Sequence, residues 1–358
     1  MSAPALASLG FALAVCYIPG WTGFSLPTGW ILLSVVLPWY LVRPILLGTA
    51  HWLGLTFLLY AFASLAWAPV WQQGVFDLWL LCILAGAFCL GSTRNVDDVY
   101  IGLAFGIGVS TVIAIFQLAG WTSIEQLHKP GGLFYNPGVF GEVAALITVA
   151  LFAIRIFWPM VFTIPAIVMS GSRIAILACA FVALFRIKPK YVLALVIPLL
   201  VVVTYAKYVP THWLDGVKER VVIWQNTMDG LTPIGRGAGS FVIDYPAFAS
   251  RGDVATSRPE NAHNDYLEMA FEFGIGALPL LGIIILALDN QMRERFILVA
   301  FLFIAVFSFP RSNPVEGFIG AMAMGSLCGN RRVAWRNRPN FRRVLERQFT
   351  GGSMDVPI

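Results

Sequence analysis

The chain has 358 residues, of which 58% are hydrophobic and only 12% charged, with a mean hydropathy of +0.76 and a net charge of +5. Soluble domains are nearer half apolar and about one quarter charged, so the balance excludes a soluble globular protein. It predicts an all-α polytopic membrane protein, because long apolar runs cross a bilayer as helices.

Taken in chain order, the opening MSAPALAS lacks a basic n-region, so no cleaved secretory peptide is expected. Apolar runs between charged or Pro/Gly breaks then predict about twelve spans, against a need of roughly 20 apolar residues, or about 17 at the short end. They lie near residues 4–19, 29–43, 50–68, 75–92, 98–120, 137–157, 159–171, 172–186, 190–206, 265–288, 295–311 and 315–329. The stretch 159–186 reads as two short helices meeting at the turn Ser170-Gly171-Ser172-Arg173, with one long broken helix as the alternative. Residues 1–330 form a single transmembrane domain with one long polar loop near 207–264, followed by a basic tail, 331–358.

Orientation follows from lysine and arginine in the short loops. Arg43, Arg94, Arg155, the Arg186/Lys188/Lys190 cluster, Arg293, Arg295 and seven tail arginines fall on one side. The opposite short loops hold Lys129, Arg173 and Arg311. Both termini are therefore expected in the cytoplasm and the 207–264 loop outside. The tail serves as a topology anchor drawn to anionic lipid, and no nucleic-acid partner is implied.

The outer loop balances six cations against six anions. Any anion binding there must come from particular arginines. Its segment 211–229 places Trp213, Val217, Val221, Ile223 and Trp224 near helical spacing, as in an amphipathic helix lying in the interface. The following stretch carries glycines at 230, 235, 237 and 239, suited to tight turns and close backbone approach.

Several residues have chemistry available to them. His263, just before an apolar run, is mostly neutral at its ordinary pKa and can accept a proton; alternatively, His263-Asn264 caps the following helix. Arg173, beside a span, is either a functional cation or a snorkelling one. Arg220 is either an anion ligand or half of a surface ion pair, and arginine suits phosphate because its fork is bidentate and always charged. Glu142 and Glu272 lie within spans and need partners. Asp265, Glu268 and Glu272 share a helix face, where they orient His263, bind a polar substrate, or pair with outer arginines. The five cysteines lie in apolar stretches without metal-type spacing, and Cys82 and Cys89 are expected to be buried packing residues. The outer loop has no DxD-like acidic pair suited to a metal-dependent transferase, and no nucleotide-phosphate motif occurs, so no metal or other cofactor is expected.

The block HNDYLEMAFEFGIGAL at 263–278 resembles the signature of the O-antigen ligase and polymerase family of bacterial envelope glycosyltransferases. Three further stretches are similar: Phe134-Tyr135-Asn136-Pro137, Ser170-Gly171-Ser172-Arg173, and Arg220 with Trp224 followed by IGRGAGSF. The likeness covers roughly residues 130–290. Gly274-Ile275-Gly276 departs from the Gly-x-x-Gly spacing of ligases, which leaves ligase and polymerase both open. The resemblance implies a bacterial inner-membrane enzyme that moves a glycan from undecaprenyl diphosphate, on the periplasmic face, to lipid A–core or to another glycan. It implies His263 as catalytic base, Arg173 and Arg220 as ligands of the donor diphosphate, and Asn264, Glu268 and Glu272 as supporting residues. A transporter of lipid-linked glycans or ions, with Glu142, Glu272 and Arg173 lining its path, is the alternative from a different class.

Overall fold

The computed structural model describes residues 3–15, 28–40, 48–122, 130–134, 136–186, 212–249 and 259–336, and among these it is helical with no strand. The helices are α1 (Ala3–Val15), α2 (Thr28–Tyr40), α3 (Thr49–Ala63), α4 (Trp71–Thr93), α5 (Asp97–Ala119), α6 (Pro137–Ile154) and α7 (Met160–Ser170). They continue with α8 (Arg173–Arg186), α9 (His212–Asp229), α10 (Asp265–Phe273), α11 (Leu278–Leu288), α12 (Arg295–Phe307) and α13 (Pro314–Arg336).

Among the described residues, five stretches are long and apolar enough to cross a membrane: Thr49–Ala66, Trp71–Thr93, Asp97–Ala119, Pro137–Ile154 and Asp265–Leu288. The chain is an all-α membrane protein. Pro4–Val15, Met160–Ser170, Arg173–Leu184 and Arg295–Phe307 are apolar but shorter. At 1.5 Å per residue such helices reach roughly 15–20 Å, less than the ~30 Å hydrocarbon core. The run at 190–206, the ends of those at 4–19 and 29–43, and most of the tail lie outside the described residues. The stretch 159–186 divides at Gly171, whose left-handed backbone (φ 60°) ends α7.

The bundle is built around α6 and α13, which are buried along most of their described length. Small residues let the backbones approach, as is common where helices meet in membranes. A Cβ on Gly91 would strike the backbone of Met322, and one on Gly325 the backbone of Phe88. Leu84 meets Gly317 and Ser92 meets Gly329, so α4 and α13 run parallel. Cys82 corrects the sequence reading: it is exposed on the bundle surface, because the face of α4 that packs inward carries Leu78, Leu81, Ala87 and Leu90 instead.

The polar loop folds back onto the helix ends. In α9, Ile223, Asn226 and Thr227 are buried while Val217, Val221 and Met228 are exposed. The predicted apolar stripe therefore splits, Ile223 turning toward Phe241, Tyr245 and Phe271 rather than joining the valines. The glycine-rich segment then threads against the break between α10 and α11. Arg236 N donates to Phe271 O (3.0 Å), Gly237 N to Glu272 O (2.9 Å) and Ile275 N to Pro233 O (2.9 Å). The first two of these bonds satisfy carbonyls that the end of α10 would otherwise leave orphaned, and the third satisfies the Pro233 carbonyl of the loop. A side chain at position 235, where φ is +71°, would collide with the backbone of Glu272. Ala238 N donates to Ser64 Oγ (3.0 Å) and Tyr60 OH to Ile234 O (2.7 Å), tying the same loop to the end of α3.

Candidate functional site

His263 sits in the short strap that joins this loop to α10. Capping of α10 falls to Asn264 alone, whose Oδ1 accepts from Leu267 N at 3.0 Å. The imidazole is thereby left uncommitted, its Nδ1 buried without a hydrogen-bond partner. The His263 backbone has φ +52°, a left-handed conformation shared by only one other non-glycine among the described residues, Arg155. Strain of that kind costs about 1–3 kcal/mol and persists only where neighbours enforce it.

The neighbours are on either side. Ala262 N donates to Glu268 Oε2 (2.7 Å), and Ala262 O accepts from Trp224 Nε1 (3.0 Å). The edge of Phe309 meets the imidazole at 5.1 Å between ring centres. With the two peptide groups that flank Ala262 each held at one polar atom, the next residue has little freedom, which explains why a side chain with a Cβ is held in this backbone conformation.

Arg220 lies one helical turn before Trp224 on α9. Its Nη1 donates to Phe307 O at 2.7 Å, a cation at the carbonyl end of α12. One edge of the guanidinium is therefore structural. Burial pushes the Arg220 guanidinium below its usual range, and Glu142 and Glu219 oppose that shift. Glu142, on α6, is buried. Burial and then the charge of Arg220 lower the pKa of His263 to about 4. The imidazole is therefore neutral throughout the physiological range.

Arg173 stands at the same end of the bundle, with an exposed side chain at the start of α8. The local sequence builds its turn: Ser170 Oγ accepts from Ser172 N (3.1 Å), and Ser172 Oγ accepts from Ala175 N (3.3 Å). That turn packs on Gly141, where a Cβ would meet Ser170 and Ser172, one residue from Glu142. The structure thus brings His263 and Arg220 together and packs the turn before Arg173 against α6 at Gly141. Asn136 caps α6 at this end, accepting from Gly138 N at 2.8 Å. Tyr135, Lys129 and Lys207 lie outside the described residues.

The larger charge constellation was not foreseen. Arg311, in the turn Pro310–Ser312, is buried among carboxylates from two helices. Its Nη1 meets Asp77 Oδ1 at 3.1 Å, and its Nη2 meets Glu268 Oε1 at 2.8 Å and Glu272 Oε2 at 3.7 Å. Its backbone N–H donates to Asp265 Oδ2 at 2.8 Å. Burial alone would lower the guanidinium pKa, but Asp77, Glu272, Glu268 and Asp265 outweigh it and the net shift is upward. The three acids on α10 thus pair with an arginine across the bundle, one of the three roles their spacing left open. Glu268 does more, linking Arg311 to the peptide before His263. Two signals pointed here. Asp77 is a lone acid in a span, which demands a cation, and Phe309–Pro314 is a proline-bracketed polar turn between apolar runs.

No model of a known protein family matches the chain, and no curated protein does.

Proposed function

We propose that this protein is a metal-independent inverting glycosyltransferase of the O-antigen ligase or polymerase type, acting on a glycan carried by undecaprenyl diphosphate. The observation that carries this reading is the pairing of an unpartnered, neutral imidazole at His263 with the Arg220 guanidinium at one end of a membrane bundle. The acceptor hydroxyl oxygen forms a bond to the anomeric carbon as the bond from that carbon to the diphosphate oxygen breaks. The diphosphate leaves with the electron pair, and His263 takes the hydroxyl proton. Arg220 and Arg173 hold the diphosphate and meet the charge that grows on it. Asn264, Glu268 and Glu272 keep the strap and its helix in place. The spans of the family, about twelve, and a periplasmic site with both termini in the cytoplasm of a bacterial inner membrane, belong to the same reading.

The deciding experiment incubates purified protein with undecaprenyl-diphosphate glycan, with and without lipid A–core. Transfer to lipid A–core marks a ligase, and lengthening of the carrier-linked glycan marks a polymerase. Carrier binding without either product returns the protein to the transporter class.

Two further expectations arise here. Arg220→Ala should weaken binding of the diphosphate carrier roughly ten- to a hundredfold, since a hydrogen bond to a charged group is worth about 1.5–3 kcal/mol. Arg220→Lys keeps the charge but loses the fork, and should fall between the two. Carrier affinity unaltered in Arg220→Ala leaves this residue as a helix cap only. For orientation, a single cysteine at the exposed Met228, in a background without the native cysteines, should react with an impermeant reagent in intact spheroplasts. Reaction only after lysis places α9 in the cytoplasm and rejects the periplasmic site.

A further inference from the structure

Between Asp229 and Arg236 the polar loop carries no charge. Three of its apolar residues there, Leu231, Pro233 and Ile234, are exposed on a turn that Gly235 N closes by donating to Thr232 O at 3.1 Å. One exposed apolar residue on a loop needs no explanation, but these three continue a larger surface. Pro233 O accepts from Ile275 N, and Ile275 and Leu278 are themselves exposed within Asp265–Leu288, a stretch of membrane length. Ile234 O accepts from Tyr60 OH, which belongs to a second such stretch, Thr49–Ala66. The Tyr60 ring in turn meets that of Trp67 at 5.9 Å between centres, and both Trp67 and Trp71 are exposed. Tryptophan is enriched where lipid meets water. The turn thus extends the lipid-facing surface of two spans, beside the residues that mark its edge.

Its backbone is suited to that place. Irregular chain is excluded from lipid where its polar groups lack partners inside the protein. Pro233 has no N–H to satisfy, and the carbonyls of Thr232, Pro233 and Ile234 are taken by Gly235, Ile275 and Tyr60. A turn facing water needs none of these bonds. The next two residues, Arg236 and Gly237, donate to the carbonyls of Phe271 and Glu272, so the turn is coupled to the end of α10.

We infer that the turn 231–234 is inserted into the lipid leaflet on the His263 side of the membrane, an anchor that fixes the height of α10 and its strap against the bilayer. The partner is the bilayer itself, where head groups give way to acyl chains. With no charge on the turn, no particular head group is selected. The anchor stands independently of the reaction proposed for the protein.

Two measurements on the full chain in zwitterionic liposomes test this. In a background without the native cysteines, spin labels on Leu231→Cys and Ile234→Cys should collide more often with oxygen, which concentrates in lipid, than with a water-soluble nickel chelate. A label on Leu278→Cys should do the same, and one on Glu219→Cys, on the exposed part of α9, should show the reverse order. The unaltered chain supplies the second reading, free of any effect of substitution on folding. A lipid with a photoreactive diazirine high in its acyl chain should mark residues 231–234 as well as 275–278. Labels at 231 and 234 that behave like the one at 219, or photolabelling of 275–278 without the turn, would overturn the inference.

Discussion

His263→Ala is expected to slow glycan transfer by roughly 10²–10⁴-fold, the usual contribution of a positioned proton acceptor. Carrier binding and folding should survive, because Asn264 supplies the cap of α10 and Arg220 remains. The pH dependence carries more information. In the free protein burial and Arg220 hold His263 at about 4, so kcat/KM should stay flat down to about pH 5 and fall only below it. A bound diphosphate cancels the charge of Arg220, which removes one of the two causes of the depression. The pKa seen in kcat should therefore lie above the one seen in kcat/KM, since the former reports the complex and the latter the free enzyme. Near-normal turnover in His263→Gln would show that the ring positions substrate, and it would remove proton transfer from the mechanism. The same depressed pKa affects stability: the unfolded chain binds the His263 proton first as pH falls. Its contribution is whole above the ordinary value near 6.5 and is lost as pH falls toward about 4.

Arg311→Ala should be the most destabilising single change at the site. It leaves Asp77, Glu268 and Glu272 buried together with no cation, and breaking a buried pair from one side typically costs about 3–5 kcal/mol. Arg311→Lys keeps the charge but cannot span both helices, so part of the loss should remain. Thermal unfolding in detergent measures the effect. A midpoint unchanged in Arg311→Ala would mean that the carboxylates are satisfied without the guanidinium, and the strap around His263 would then lack the anchor described for it.

Much of this was legible before any coordinates. The apolar runs gave the class, and Asn264 ahead of an apolar stretch marked where α10 begins. Local chemistry was also readable at Ser170-Gly171-Ser172, where two hydroxyls and a left-handed glycine make the turn before Arg173. What sequence could not supply was contact between distant segments. Asp77 and Arg311 are 234 positions apart, and only the packing of α4 beside α13 brings them together. The face of α9 was misjudged for a related reason: Ile223 and the valines are equally apolar, so which of them is buried is decided by Phe241 and Phe271 from elsewhere in the chain. Nor does spacing mark the left-handed backbone of His263, which is imposed by Trp224 and Glu268 on the two sides of Ala262.

The position of Arg311 along the chain also sets an order of assembly. Every carboxylate it neutralises is made before it, Asp77 by 234 residues. At translation rates of 5–20 residues per second that interval is roughly 10–50 s. During it α4 enters the bilayer with an acid that has no arginine and a glycine seam that has no α13. The bundle closes around its last described helix rather than growing outward from its first. A nascent chain arrested before residue 311 should therefore be inserted yet open, recognised by membrane quality control, and a complete one protected as soon as α13 slides into place.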